Sequence, residues 1–378
     1  MKLQHLLVGG TFCGTALAAG TAQAQSSVTL YGIIDTGLEY VSHANAAGNG
    51  VLRVPAITGE LPSRWGLRGN EDLGGGLSVQ FVLENGFNSD NGSLGQGARL
   101  FGRQAWIGIQ STYGLLSFGR QYTMTYWSTA DSDILGPTMY GMASLDPYMA
   151  GRRSDNTISY LATIHGLTAG ATYSFGRDSA GTGNSPGQGT CAGSVPGNPT
   201  QCRQWTAMLK YDAASFGVAA AYDEQRGGTN AAADFYDGVA PFPLTSSVDK
   251  DARTVLNGYF RFGAFQIGSG YMGRMVTTVT GPDVRSNIFY TSASWQATPA
   301  FVLDGEVYRA INRAQDARAS MVTLRGTYLL SKSTAVYLQS GYLANSAKAQ
   351  YTVSSGGGTT PSQGDDQVGL MLGIRHSF

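Results

Sequence analysis

Charge is scarce in this chain of 378 residues: 13% are Asp, Glu, Lys or Arg, and 25 basic residues balance 25 acidic ones. A balanced chain carries no global field that would collect nucleic acid, so composition excludes a nucleic-acid partner. Lysine is scarcer still, confined to Lys2, Lys210, Lys250, Lys332 and Lys348. The other basic residues are arginine, which selects for a planar, permanently charged donor. Histidine, beyond His5, occurs only at His43, His165 and His376, and none of these has the serine or paired acids that a barrel hydrolase needs. Gly74, Gly75 and Gly76 lie in a turn with no following helix or lysine, which excludes a phosphate loop. No enzymatic function is expected, and no cofactor is implied. After the N-terminal leader no run of ~18 apolar residues occurs, which excludes membrane-spanning helices.

Cysteine occurs three times, and the leader claims one of them. Residues 1–24 read as a secretory signal: Lys2 supplies the basic start, Leu6 to Ala19 a modest apolar region, and Ala22-Gln23-Ala24 the cleavage site. The mature chain, 25–378, then begins at Gln25 and retains Cys191 and Cys202. They flank a Gly/Pro/Ser-rich segment, and in an exported chain a disulfide closing that loop is the natural reading. Metal binding would need further ligands, and none lies nearby.

What the chain has in abundance is glycine, at 53 residues, and aromatics, including 20 Tyr and 15 Phe. It also has period-two alternation over stretches of about ten residues, the mark of strands with one apolar and one polar face. Val28, Leu30, Ile34 and Leu38 oppose Thr29, Tyr31, Asp35 and Glu39; at the other end Val368, Leu370, Leu372, Ile374 and Phe378 oppose Gly369, Gly373, Arg375 and Ser377. The segments number about sixteen, with fourteen and eighteen as the neighbouring even counts. Connections alternate between short turns, such as 165–166 and 263–264, and long polar stretches, such as 177–203, 227–251 and 347–365. Aromatics cluster at the ends of the apolar faces. A soluble sandwich needs neither feature, whereas both belong to a transmembrane antiparallel β-barrel with interfacial girdles.

With the alternation fixed, the arginines acquire a direction. Arg64 and Arg68 share the polar face of the second segment; Arg99 and Arg103 oppose Trp106; Arg153 opposes Ile158 and Tyr160. These polar faces point into the lumen, and so many like charges require a water-filled pore instead of a packed interior. The segment from Gln121 to Arg153 is too long for an ordinary turn, and loops of that length are usually functional. Folded inward, it would narrow the pore and set Asp131 and Asp133 opposite Arg64, Arg103 and Arg153, with Arg68, Arg99, Arg120 and Arg152 as further wall candidates. A field across such a constriction favours polar solutes.

The segments SSVTLYGIIDTGLEY (26–40), SRWGLRGNEDLGGGLSVQFVLE (63–84), RQAWIGI with LLSFGRQYT (103–123) and a last strand closing on Phe378 resemble the general-diffusion porins of Gram-negative bacteria. That resemblance implies an outer-membrane homotrimer of sixteen-stranded barrels, embedded in outer-membrane lipid. It implies the third external loop folded into each pore, lumenal arginines at Arg64, Arg103 and Arg153, and Phe378 as the signal for membrane insertion. The chain departs from the pattern in an inward loop rich in Met124, Tyr126, Met139, Tyr140, Met142, Tyr148 and Met149 and poor in acids. The expected function is passive diffusion of small hydrophilic solutes and ions with mild anion preference. The alternatives are a substrate-specific channel, in which those loop aromatics form a track for a sugar or an organic anion, and a barrel acting as an adhesin.

Overall fold

In the computed structural model, residues 27–56, 59–177, 191, 193–229, 231–233 and 242–378 are described; the expected leader 1–24 lies outside them. Among the described residues, sixteen long strands follow one another: β1 (Ser27–Val41), β2 (Arg64–Gly74), β3 (Leu77–Gly86), β4 (Gln104–Ser111), β5 (Gly114–Tyr122), β6 (Arg153–Ile164), β7 (Leu167–Ser174) and β8 (Gln204–Asp212) make the first half. The second half comprises β9 (Phe216–Arg226), β10 (Lys250–Phe262), β11 (Phe265–Thr277), β12 (Val284–Thr298), β13 (Phe301–Asn312), β14 (Ala317–Leu329), β15 (Thr334–Asn345) and β16 (Gln367–Ser377). Each pairs antiparallel with its sequence neighbours. β1 pairs with β2 from Ser27↔Asn70 and with β16 from Ile33↔Ser377, so the sheet closes on itself and leaves no edge.

Burial follows the alternation. On β1, Val28 is 64% and Leu30 59% exposed, while Asp35 and Glu39 on the other face are buried. An apolar outside and a polar inside invert the soluble pattern and suit a strand between lipid and water. The turns are short on one rim and long on the other. At His165–Gly166 both residues have positive φ, 52° and 82°, the geometry that closes a two-residue hairpin along the strand twist. Two strands start later than their alternation suggests. β2 begins at Arg64, not near 61, because the backbone N–H groups of Glu60 and Leu61 turn inward to donate to the Asp35 carboxylate. β4 begins at Gln104, not near 98, because Gln96 and Ala98 adopt left-handed φ in a tight bend.

The stretch between β5 and β6 enters the barrel. It holds a short helix (Met124–Thr129), a 3₁₀ turn (Met142–Ser144) and a final helical turn (Tyr148–Gly151). Met124, Met139, Tyr140, Met142, Leu145, Tyr148 and Met149 pack against inward residues of the wall, among them Met208, Val255, Met272, Ile288, Tyr290, Tyr308, Met321, Tyr337 and Met371. Burying each large side chain contributes about 1.5–3 kcal/mol, and methionine fits an irregular gap between a loop and a curved sheet. Close approach needs glycine on the wall: a Cβ at Gly268 would collide with the Ser132 backbone, and one at Gly341 or Gly369 with Tyr140.

Candidate functional site

Three arginines converge where β2, β4 and β6 leave the membrane band on the long-loop side. Arg103, just ahead of β4, donates from Nε to Glu84 Oε1 at 2.7 Å and from Nη2 to the Tyr122 hydroxyl at 2.8 Å. Arg153, the first residue of β6, donates from Nη2 to the same hydroxyl at 3.0 Å, with its guanidinium 4.6 Å from the Tyr122 ring centre. Arg64 Nε lies 3.7 Å from Glu84 Oε2. Tyr122 stacks on Tyr126 with ring centres 3.8 Å apart, and Trp127 stands edge-on to Tyr122 at 6.2 Å. One carboxylate and one phenol thus hold three cations together, and a positive surplus remains. Arg153 Nε has no hydrogen-bond partner among the described residues. Arg103 and Arg153 line a cavity of about 500 Å³ that also meets Gln96, Pro137 and Thr138.

The further candidates divide. Arg120 Nη1 pairs with Asp155 Oδ1 at 2.5 Å, and Arg99 Nη2 reaches Asp155 Oδ2 at 3.5 Å, so one acid serves two cations. Arg68 is exposed on the inner face of β2, 5.4 Å from the Tyr31 ring. Arg152 takes a left-handed φ of 44° after the last loop turn. It pairs with Asp133 at 3.9 Å, bonds Thr129 Oγ1 and lies over Tyr126.

The loop acids do not sit opposite Arg64, Arg103 and Arg153, which corrects the arrangement expected from the sequence. Asp131 accepts from Lys210 Nζ at 2.6 Å and from Arg261 Nη2 at 2.9 Å, near the short-turn ends of β8 and β10. Asp133 is buried, pairs with Arg152 and accepts from the Gly136 N–H; burial pushes its carboxyl above the ordinary range. The physical reason is the loop's path. From its helix onward it runs along the inner wall, bonding one strand after another: Thr206 of β8 to Met124 N, Asp223 of β9 to Thr125, Ser292 of β12 to Ser132 O, Glu306 of β13 to Leu135 N, Thr323 of β14 to Tyr140 O and Gln339 of β15 to Thr138. Asp131 and Asp146 are used against that wall, and Asp133 within the loop itself.

The third loop acid, Asp146, is the strongest tie and had no assigned role from the sequence. Arg253 of β10 grips it with two bonds of 2.7 and 3.0 Å, Arg274 of β11 stands 3.7 Å away, and Asp251 accepts two bonds from Arg274 at 2.9 and 2.8 Å. All four side chains are at most 4% exposed. Burial alone would raise the Asp146 carboxyl, but Arg253 and Arg274 hold it below its usual value. Beside this clamp, the Tyr148 hydroxyl donates to Asp223 Oδ2 at 2.5 Å and accepts from Gln204. The inward parity of Arg253 and Arg274 is readable in the sequence; their convergence on residue 146 is not. Met124, Met139, Tyr140, Met142, Tyr148 and Met149 of the loop are buried packing residues, whereas Tyr126, Trp127, Ile134 and Pro137 keep exposed surface.

On the outer loops, Cys191 and Cys202 are joined, with Cα atoms 5.8 Å apart. Phe378 exchanges both backbone hydrogen bonds with Gly32 at 2.9 and 3.1 Å, and its side chain projects 53% exposed.

A closed sixteen-stranded barrel with an apolar exterior, a charged interior and a loop packed inside is an outer-membrane channel. The chain belongs to the Gram-negative porin family, whose model matches residues 13–348. It is 32% identical to an outer membrane porin of Bordetella pertussis, over 95% of this chain and 96% of that protein. It is 28% identical to outer membrane porin protein 32 of Delftia acidovorans, over 96% and 97%. Among solved structures, the anion-selective porin from Comamonas acidovorans superposes with a TM-score of 0.77 at 24% identity, covering 94% of this chain and all of that one. A trimer form of OmpT of Vibrio cholerae gives 0.65 at 16% identity, covering 93% and 99%.

Proposed function

We propose that this porin is a passive route for small hydrophilic solutes and ions, with a mild anion preference set by Arg64, Arg103 and Arg153. The observation that carries this reading is the convergence of three guanidinium groups on one carboxylate and one phenol, Arg64 and Arg103 on Glu84 and Arg103 and Arg153 on Tyr122. A surplus of fixed positive charge beside a water-filled path concentrates anions and repels cations. The solved neighbour that bears the name anion-selective porin supports the sign, and the OmpT trimer form supports assembly as a homotrimer. The burial of Tyr140 and Tyr148 leaves Tyr126 and Trp127 as the loop aromatics that could serve a track for one substrate.

The test is the reversal potential across a planar bilayer in a salt gradient, for wild type and Arg103→Ala. Removing Arg103 leaves Glu84 facing Arg64 with less surplus, so the potential should move toward cation preference. An unchanged potential would mean that this arginine group does not govern the permeating ions. A conductance that saturates with one particular solute would favour the substrate-specific reading.

A further inference from the structure

The alternation sets Trp106 on the lipid side of β4, but the structure turns it into the lumen. The outward residues of β4 are Ile107 and Ile109, each more than half exposed at 55% and 51%. Trp106 pairs with Val82 of β3, two residues from Glu84 toward the short-turn rim. Its indole N–H donates to Gln104 Oε1 at 3.0 Å, and Gln104 Nε2 lies 3.5 Å from Glu84 Oε1, the carboxylate that gathers Arg64 and Arg103. Arg103 reaches that carboxylate from ahead of the strand, so it need not share the strand's parity to face the lumen.

Tyr31 of β1 meets Glu84 from the other side. Its hydroxyl donates to Glu84 Oε2 at 2.9 Å, and its ring lies against Gly66, where an added Cβ would come within 2.9 Å of it. Trp106 likewise stands opposite a glycine, Gly119 of β5. Directly paired residues share one face of the sheet, so beside each ring the wall is free of a competing side chain. Hydrogen bonds hold both rings in place, and a platform fixed in advance costs little entropy when a solute settles on it.

Arg68 of β2 completes the group. It is exposed, its guanidinium lies 5.4 Å from the Tyr31 ring centre, and it has no hydrogen-bond or ion-pair partner among the described residues. Arg68, Val82 and Trp106 form one row across β2, β3 and β4. With neighbouring strands about 4.8 Å apart, Arg68 and Trp106 stand roughly 10 Å apart at the backbone. Only the short Val82 fills the row between them, which leaves a hollow between a cation and an indole. The row lies about 7 Å along the strand from Glu84, so an anion leaving Arg103 and Arg153 toward the short-turn rim meets Arg68 next.

We infer that Arg68, Tyr31 and Trp106 form a lumenal binding site for aromatic carboxylates. The guanidinium takes the carboxylate through two parallel bonds, and the indole takes the ring. An inorganic anion or a short aliphatic acid would use Arg68 and leave Trp106 idle. A neutral sugar would use the rings and leave Arg68 idle. An aryl carboxylate uses both ends of the row. The site rests on the reading of the lumen as an anion path, and adds to it a class of solute that is held on the way.

The experiment records single-channel chloride current of the full-length protein with sodium benzoate, sodium acetate or glucose added. Benzoate should reduce the current saturably, and acetate and glucose at the same concentration should not. Trp106→Ala should raise the half-effective benzoate concentration about two- to tenfold, and Arg68→Gln about tenfold or more. Trp106→Phe keeps a ring and should retain most of the affinity, which separates a lost platform from a misfolded barrel. An equal effect of acetate or of glucose would overturn the inference, as would a benzoate affinity unchanged in either Trp106→Ala or Arg68→Gln. The two readings fail separately. A reversal potential unmoved by Arg103→Ala counts against the anion path itself, whereas benzoate without effect on a channel whose potential does move overturns the site alone.

Discussion

From β8 round to β16 the inner wall carries Met208, Val255, Met272, Tyr290, Tyr308, Met321, Tyr337 and Met371, and the inward loop lies on it as one layer of a soluble core lies on another. From β2 to β6 the inner wall carries Arg64, Arg68, Arg103, Arg120 and Arg153. Both faces come from the same two-residue alternation with lipid outside. The difference lies in what is set against them. On the loop side the ions occur in closed groups, such as Asp146 and Asp251 with Arg253 and Arg274. On the arginine side cations outnumber carboxylates, and only water or a passing anion can make up the deficit. One half of the interior is therefore protein core, and the other is the one we propose as the pore.

The largest expected effect comes from opening the closed group. Asp146→Ala leaves Arg253 and Arg274 to share Asp251 alone, and breaking a buried ion pair costs about 3–5 kcal/mol. The loop should detach from β10 and β11 while the barrel, held by its strand ladder, stays closed. Trypsin cleavage after Arg152 or Arg153 should become fast, and single-channel current should become noisy, with larger conductance states. Resistance to cleavage equal to wild type would show that apolar packing alone holds the loop.

Acid probes the same clamp without mutation. Asp146 is held below the ordinary carboxyl range, so its contribution to loop docking is complete above its unfolded pKa of about 3.8 and lost as pH falls through its depressed value. Asp133 has the opposite sign. Its raised pKa means that docking gains from its protonation below about 3.8 and loses that gain as pH rises through its folded value. Arg152 faces Asp133 throughout, and Glu306 adds to its repulsion. Protease resistance of the loop should thus persist through mild acid and collapse only in stronger acid. Collapse between pH 5 and 7 would assign the clamp to some other group.

A smaller effect is expected at Tyr148→Phe. The ring keeps its place over Arg253, at 4.4 Å, but Asp223 loses a buried donor and keeps Thr125 and Gln204. Leaving a buried polar group partly unsatisfied costs about 1–3 kcal/mol. Thermal unfolding should shift accordingly, with the reversal potential unchanged because the pair lies on the packed side.

Much of this was legible from the sequence, and the division follows from what period two can encode. All sixteen strands show in the alternation because each meets lipid on one side and the interior on the other. The inward parity expected of Arg64, Arg103 and Arg153 follows from the same rule, and the alternate strands β2, β4 and β6 all begin at the long-loop rim. The loop has no period. Nothing in its composition says that Asp131 reaches β8 and β10, or that Asp146 finds Arg253 at a separation of 107 residues. Its aromatics read as a substrate track because an apolar side chain in a loop does not declare which neighbour it will cover.

Trp127 tests the boundary between the two halves, and there the smallest change in stability is expected. It stands on the loop helix but is 40% exposed, edge-on to Tyr122 of the arginine group at 6.2 Å and to Tyr126 at 5.3 Å. Such aromatic pairs contribute about 0.5–1.5 kcal/mol each, and Trp127 has no place among the buried residues that fix the loop. In Trp127→Ala the loop should therefore remain docked and protease-resistant. Conductance should nevertheless rise, because a large side chain leaves the pore side of the loop while every arginine and its partners stay in place. The reversal potential should hold, since no charge has moved. A changed potential with the loop still docked would mean that Trp127 positions Tyr122, and through it Arg103 and Arg153, so that the arginine wall depends on the packed one.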